Sequence, residues 1–183
     1  MYLVWKSDFE NEPVHTRATV LNIKALAGIN LTGGHPLLGQ LPVITLEIVS
    51  DYPPADYFNA GPLFVVSERL RKLFEVVGVP VEYHPVVLHN KTQEKIFAKY
   101  FFANIIDKVD CFDFENSVYT MDGEFIDKIQ KLEIDESKTA GRALFRLARS
   151  FDVITFASQK LQDAVFEAEI TGVKFVTPSD WNW

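Results

Sequence analysis

The sequence predicts an α+β or mixed α/β fold, in which two principal amphipathic helices pack on a mixed, largely antiparallel sheet. The main observation is a repeat. A short apolar run, a serine, a stretch of helix-forming residues and a second apolar run follow one another in residues 64–86 and again in residues 154–175. Further apolar, β-branched runs are typical of strands. The 183 residues, 48% of them hydrophobic, suffice for a sizeable core.

The first part of the chain is predicted to consist of strands and loops. Tyr2–Lys6 is expected to form a short strand, whereas residues 14–31 fit neither the helical nor the strand period. Residues 32–42 are rich in Gly and Pro, so we expect a loop there. Val43–Val49 alternates and is β-branched, which predicts a strand, and the turn signals in residues 50–62 predict a long connection.

That long connection is where a domain boundary would fall. The prediction is an N-terminal portion of strands and loops over residues 1–62, which could form a subdomain, and a main domain over residues 63–183. Both portions are expected to form one compact unit, because 183 residues are within the usual size of a single domain.

The first copy of the repeat begins with a buried-strand run, Leu63–Val66. Ser67 stands where an N-cap belongs, because its hydroxyl can accept a hydrogen bond from a free backbone N–H of the first helical turn. Gly78 is the expected end of the helix, and the segment VEYHPVVL resumes as a strand. The apolar helical face has the i, i+3, i+4, i+7 spacing and comprises Leu70, Leu73, Phe74 and Val77.

The second copy has the same order. Val153–Ala157 is the predicted strand, Ser158 the cap, and Val173–Val176 the returning strand after a turn at Thr171 and Gly172. The inner face of this helix comprises Leu161, Val165 and Ala168.

Three further strands are predicted between the two helices. Ile96–Ile106 is long and apolar on both faces near its middle, so we expect it in the interior of a sheet. Ile126–Ile134 and Ala143–Arg149 are the other two candidates.

Charge and composition exclude several classes of protein. A net charge of −7 and a pI near 5.1 disfavour nucleic-acid binding, which requires a basic stripe. No apolar stretch approaches the ~20 residues that span a bilayer, and the N-terminus lacks the basic start of a signal peptide. The single cysteine, Cys111, excludes an internal disulfide framework. We therefore expect a cytoplasmic protein without nucleic-acid or membrane partners.

No motif of a known catalytic or cofactor site occurs in the sequence. It has neither of the phosphate-binding motifs G-x-x-x-x-G-K-[ST] and G-x-G-x-x-G, nor the G-x-S-x-G nucleophile elbow. His84 and His89 are an odd number of positions apart, so in a strand they face opposite sides and cannot share a metal. Asp110 beside Cys111 disfavours a reactive thiolate. We predict no catalytic residue, no cofactor and no metal.

One segment concentrates the negative charge. Residues 107–124 contain six acidic residues and one lysine, a net charge of −5. We predict that a basic partner binds here, and the candidate partner-binding residues are Asp107, Asp110, Asp113 and Glu115. Three other interpretations are open: a solvated edge, carboxylates that hold a divalent metal, or ion pairs within the fold to Arg142, Arg146 and Arg149.

Several segments occur in an order and spacing similar to those of a known family. They are VSERLRKLFE, VEYHPV, DKVDCFDFENS, ALFRL, ITFASQKLQDAV and ITGVKF. Over residues 63–176 the chain resembles the myxobacterial-type immunity proteins of bacterial polymorphic toxin systems, formerly a domain of unknown function. The N-terminal YLVWKSDFENE is similar to the family's opening, whereas residues 14–62 resemble it least.

The resemblance implies an immunity protein that binds a cognate toxin or effector and neutralises it by occlusion, without catalysis. The family has no catalytic residue to carry over. One alternative is a small cytoplasmic hydrolase, which would need a pocket joining His84 or His89 to the carboxylates of Asp113 and Glu115. The other is a structural oligomerisation module with a large apolar surface patch, and a homodimer is left open as well.

Overall fold

The computed structural model describes residues 1–8 and 16–181 and has the predicted α+β fold. Its α-helices are α1 (Glu68–Val77) and α2 (Gln159–Glu167). The strands are, in chain order, β1 (Tyr2–Ser7), β2 (Ala18–Val20), β3 (Ile44–Ile48), β4 (Tyr57–Ala60), β5 (Leu63–Ser67), β6 (Val81–Asn90), β7 (Lys95–Ile105), β8 (Lys108–Val109), β9 (Val118–Asp122), β10 (Phe125–Lys131), β11 (Leu144–Leu147), β12 (Thr155–Ser158) and β13 (Val173–Val176).

The described strands are divided among three sheets, where the sequence predicted one. A six-stranded sheet has the order β2-β3-β6-β7-β5-β4, and a five-stranded sheet has the order β13-β1-β12-β11-β8. The third sheet is the hairpin of β9 and β10. The pairs β3–β6 and β8–β11 are parallel and the others are antiparallel, which confirms the mixed, largely antiparallel character. As predicted, β7 is an interior strand.

The repeated sequence pattern produces the same topology twice. β5 and β6 lie on either side of β7, which is antiparallel to both. In the same way, β12 and β13 lie on either side of β1, which is antiparallel to both. Each helix therefore connects two parallel strands that are separated by one strand from elsewhere in the chain. The sequence predicted the strand, helix and strand of each copy, but not the strand inserted between them.

Both helices begin as predicted. Ser67 Oγ accepts from the N–H of Leu70 at 3.2 Å, and Ser158 Oγ accepts from the N–H of Leu161 at 3.4 Å. At the end of α1, Gly78 takes a left-handed conformation with φ +84° and donates its N–H to the last helical carbonyls. No helix of the described residues is long and apolar enough to cross a membrane.

The two helices and one face of each large sheet share a central core. α1 contributes Leu70 and Phe74, and α2 contributes Leu161 and Val165. Trp5 of β1 packs among these elements, with ring-centroid distances of 5.4 Å to Tyr57 and 5.7 Å to Phe74. Because strand side chains alternate between faces, the neighbours of these core residues point into two outer cores.

The outer face of each large sheet is covered by a different segment. The segment between β2 and β3, with a short 3-10 helix at Ile23–Leu26, buries Leu31 and Leu37 against the six-stranded sheet. The hairpin of β9 and β10 buries Ile126 and Ile129 against the five-stranded sheet. The ambiguous residues 14–31 thus include a short strand and a covering layer, which explains their lack of a single hydrophobic period.

The predicted long connection contains a strand that the sequence pattern did not indicate. β4, within residues 50–62, pairs with β5 through the turn at Gly61 and Pro62. β3 pairs with β6, so segments on both sides of residue 62 share the six-stranded sheet. A four-residue strand of two aromatic residues, Asn and Ala is too short to display a period, and only its pairing with β5 makes it a strand.

A buried carboxylate, Asp56, joins the two repeated units. Ser67 Oγ donates to Asp56 Oδ1 at 2.6 Å, and Arg69 Nη1 lies 3.3 Å from Oδ2. From the other unit, the backbone N–H and the hydroxyl of Thr171 both donate to Oδ2 at 3.1 Å. Beside it, Gly172 (φ +84°) approaches the backbone of Tyr57 so closely that a Cβ would collide with its carbonyl oxygen. The units are therefore held by polar contacts as well as by the shared core.

Candidate partner-binding face

The acidic segment leaves β7 and runs along the edge of the five-stranded sheet, where its aromatic residues anchor it. Phe112 is buried and its ring lies 4.9 Å from that of Phe114 and 5.1 Å from that of Tyr119. Backbone hydrogen bonds from Asp113 N to Glu133 O (3.0 Å) and from Asp135 N to Cys111 O (2.7 Å) tie the segment to residues 133–135. The apolar side chains thus point inward and the carboxylates remain accessible.

Two of the four predicted binding residues form ion pairs within the fold. Arg142 Nε lies 3.2 Å from Asp107 Oδ2, and Arg149 Nη2 lies 2.8 Å from Asp110 Oδ2 and 2.9 Å from Oδ1. Ion pairing within the fold was one of the interpretations that the sequence left open, and the structure contains such ion pairs for Asp107 and Asp110. Arg146, the third arginine of that interpretation, has no carboxylate within 4 Å among the described residues.

Asp113 organises the turn in which it lies. Its carboxylate accepts from the side-chain amide of Asn116 at 2.7 Å and from the backbone N–H groups of Asn116 (3.1 Å) and Glu115 (3.0 Å). These bonds, led by the one from the Asn116 side chain, hold the pKa of Asp113 below its usual value. Asp113 is therefore ionised at neutral pH, and removing its carboxylate would disturb the turn as well as the charge.

Asp113 and Glu115 line a groove together with two acids that the sequence prediction missed, Asp135 and Glu136. The groove has a volume of about 540 Å³ and is also lined by Phe112, Phe114, Ile134 and Lys138. We call these four carboxylates and their surroundings the acidic groove. The antiparallel bridge between Phe112 and Ile134 brings the two acidic pairs together. The sequence signal was present in the letters IDESK, but only the pairing of the two segments makes them neighbours.

The four carboxylates of the acidic groove differ in how they are compensated. Asp135 accepts from the hydroxyl of Ser137 at 2.6 Å, which together with the Ser137 N–H lowers its pKa, and Lys138 Nζ lies 3.5 Å away. Glu136 lies 3.2 Å from the N-terminal ammonium group. Glu115 is exposed, and its carboxylate has no ion pair among the described residues. Glu115 is therefore the groove's most available charge.

The geometry that a hydrolase would need is missing from the described residues. Neither His84 nor His89 lines the acidic groove, because both lie on β6 in the other large sheet. His84 is buried against Phe102, and its Nε2 lies 3.2 Å from Glu82 Oε2 without hydrogen-bond alignment. His15 lies outside the described residues, and residues 1–8 and 16–181 contain no cluster of His, Cys, Asp and Glu that could hold a metal.

The cysteine is also unsuited to nucleophilic chemistry. Cys111 is fully buried, and burial raises the pKa of its thiol to about 12, with the charge of Asp110 adding to the effect. The thiol is therefore protonated at neutral pH. The sequence attributed this to neighbouring acids, whereas burial is the larger cause.

A comparison with known protein families places this geometry in context. Residues 14–180 match the model described as "Immunity protein family (Imm11)", and a comparison with curated proteins found no match. The match includes residues 14–62, the part in which the sequence resembles the family least, and this part contains β2, β3 and β4. Immunity proteins bind cognate toxins and are typically non-catalytic, which confirms the prediction that the chain is not an enzyme. The chain belongs to the Imm11 immunity protein family.

Proposed function

We propose that the protein neutralises a cognate toxin of a polymorphic toxin system by binding it and occluding its active site, without chemistry of its own. The observation that carries this proposal is the family match over residues 14–180. The mode of action, in which this protein occludes the toxin by binding to it, is inferred from physical reasoning. An inhibitor without catalytic groups acts through the surface of the toxin that it covers.

We further propose that the acidic groove is the contact face and that the toxin presents basic residues to it. Four carboxylates face one lysine across this groove, and Glu115 is exposed without an ion pair among the described residues. Half-buried Phe114 supplies an apolar wall beside these charges. Complementary charge accelerates association and selects the partner, while apolar contacts supply most of the affinity.

The four residues predicted from the sequence would then contribute unequally. Glu115 and Asp113 face the groove, and we propose that they meet the toxin directly. Asp110 stays about half exposed beside Arg149, so it could extend the face at its rim. Asp107 is more buried and pairs with Arg142, which supports a structural role for it instead. Exposed rim pairs contribute little to affinity.

The test of the contact face is a charge reversal with a matched control. Glu115→Lys should slow association with the cognate toxin at least tenfold at low salt, and the difference should shrink as salt is raised. Glu167→Lys changes the charge equally, but this exposed residue lies in the last turn of α2, outside the acidic groove. It should leave association nearly unchanged. Equal effects of both variants would contradict the assignment of the groove.

The test of occlusion is a titration of toxin activity. An inhibitor that occludes should abolish activity at one equivalent of this protein and no less. Inhibition by a small fraction of an equivalent, increasing with time, would indicate turnover and contradict the proposal. Co-expression in a sensitive cell should give protection that is lost in parallel with binding.

A further inference from the structure

A second cavity, lined by different residues from those of the acidic groove, extends into the central core. Its volume is about 370 Å³, within the range of small-molecule pockets. The turn between β4 and β5 forms one wall, and the segment from Phe151 to Thr155, which leads into β12, forms the other. The inner end is lined by Trp5, Tyr57 and Arg146.

Arg146 is a buried cation without a counter-charge within 4 Å among the described residues. It lies on β11 with its side chain on the same face as Leu144, toward the central core, and is only 1% exposed. Its Nε and Nη1 have no hydrogen-bond acceptor among the described residues. Burial lowers the pKa of Arg146 to about 10, so the guanidinium is still charged at neutral pH. A buried, unpaired charge is strongly unfavourable, and proteins rarely retain one without a use for it.

Two further buried donors, Trp5 Nε1 and Ser7 Oγ, lack an aligned hydrogen bond among the described residues. Both lie beside the Tyr57 hydroxyl, where they oppose the rise in its pKa that burial causes. Ser7 lines an adjoining cavity that shares Trp5, Asn59 and Asp152 with the first. Water could satisfy these donors, but water cannot neutralise the guanidinium. An oxyanion would do both.

One acidic residue lines the same cavity and restricts the kind of ligand. Asp152 has no basic partner within 4 Å among the described residues, and its Oδ2 is buried without a donor. Burial raises its pKa, and the charge of Asp127 raises it further. A ligand that carries an O–H or N–H next to its anionic oxygens would satisfy Asp152 as well as Arg146. Hydrogen phosphate and the amino or hydroxy carboxylates have this chemistry.

We propose that this cavity is an oxyanion-binding site in which Arg146 holds a carboxylate or phosphate group and Asp152 accepts a hydrogen bond from the same ligand. The site shares no lining residue with the acidic groove, and only the source of the oxyanion depends on the proposed toxin partner. Its mouth is apolar, with Phe151 and Val153 each more than half exposed and Phe125 stacked on Phe151 at 5.3 Å. The oxyanion could belong to a free small molecule or to an acidic side chain of a bound protein that covers this mouth.

The first experiment uses the free protein. Thermal melting and calorimetric titration with inorganic phosphate, acetate and glutamate, at constant ionic strength against chloride, should show saturable stabilisation by at least one anion. Arg146→Met, which keeps the aliphatic stem and removes the charge, should weaken that binding at least tenfold. Val153→Trp narrows the mouth, leaves Arg146 in place and should also reduce binding. Val76→Trp, at an 84% exposed site on α1, is the matched control and should not.

The second experiment identifies the source of the oxyanion and alone depends on the proposed toxin partner. If the free protein binds no anion, but Arg146→Met and Val153→Trp both weaken toxin binding tenfold while Val76→Trp does not, the carboxylate comes from the toxin. If anions bind and toxin affinity is unchanged, the ligand is a free small molecule. If neither anions nor toxin respond to these variants, the oxyanion site is refuted, whatever the acidic groove does.

Discussion

The two capping serines allow a sharp test of how the fold is held together, because they differ in one contact. Ser67 and Ser158 each cap a helix with the same geometry. Only Ser67 also donates its hydroxyl hydrogen, at 2.6 Å, to the buried carboxylate of Asp56. We therefore expect Ser67→Ala to destabilise the protein considerably more than Ser158→Ala.

The magnitude follows from the bonds that each change removes. Loss of an N-cap serine costs ~1 kcal/mol, which is the whole effect expected for Ser158→Ala. Ser67→Ala loses the same cap and a hydrogen bond to a charged group, worth ~1.5–3 kcal/mol. Asp56 keeps its bonds to Arg69 and Thr171, so it is not left unpaired. The lower half of that range applies, and the free energy of unfolding should fall by about 3 kcal/mol.

Urea denaturation followed by circular dichroism measures both losses on one scale. A double-mutant cycle of Ser67→Ala with Asp56→Asn should give a coupling energy of about 1–2 kcal/mol, because the two residues share that bond. The same cycle of Ser158→Ala with Asp56→Asn should give a value near zero. Equal losses for the two serine variants, within ~0.5 kcal/mol, would refute the account of Asp56 as the link between the units.

Three further outcomes are expected. Gly172→Ala should destabilise the protein by about 2–5 kcal/mol, because a Cβ would collide with the Tyr57 carbonyl and because φ is +84°. Gly28 has a similar φ of +80° but open space around it, so Gly28→Ala should cost only ~1–2 kcal/mol. Similar losses of the two variants in urea denaturation would contradict this difference. Burial raises the pKa of Cys111 to about 12, from ~8.5 in an unfolded chain, so the stability that it contributes is complete below pH ~8.5 and is lost as pH rises. Between pH ~9 and 10 the free energy of unfolding should fall by about 1 kcal/mol, and a Cys111→Ala variant showing the same decline would argue against this cause. Because β2, β3 and β4 share a sheet with β5, β6 and β7, circular dichroism and tryptophan fluorescence should follow one unfolding transition. Two separate transitions would instead support a subdomain boundary near residue 62.

Local interactions made the helices and most strands predictable. A cap depends on a hydrogen bond spanning three residues, and an amphipathic helix on spacings of three and four, so both can be read from neighbouring letters. Ser67, Ser158 and Gly78 are found in the predicted roles for this reason. The acidic character of residues 107–124 and the absence of a catalytic motif are likewise properties of the sequence itself.

Contacts between segments that are distant in sequence determined the strand pairing and the composition of the acidic groove. β1 inserts between β12 and β13, which follow it by some 150 residues, and no local pattern specifies such a pairing. The same holds for the bridge between Phe112 and Ile134, which brings Asp135 and Glu136 to the acidic groove.

The three arginines of GRALFRLARS show most clearly what the sequence alone does not determine. They look equivalent in the sequence, yet Arg142 and Arg149 pair with carboxylates, while Arg146 points into the central core with no carboxylate within 4 Å in the described part of the chain. Alternation along β11 determines that Arg146 and Leu144 share a face, but only the packing of the two large sheets decides that this face is buried. Burial excludes the water that would otherwise solvate the guanidinium, and so turns an ordinary arginine into a candidate binding group.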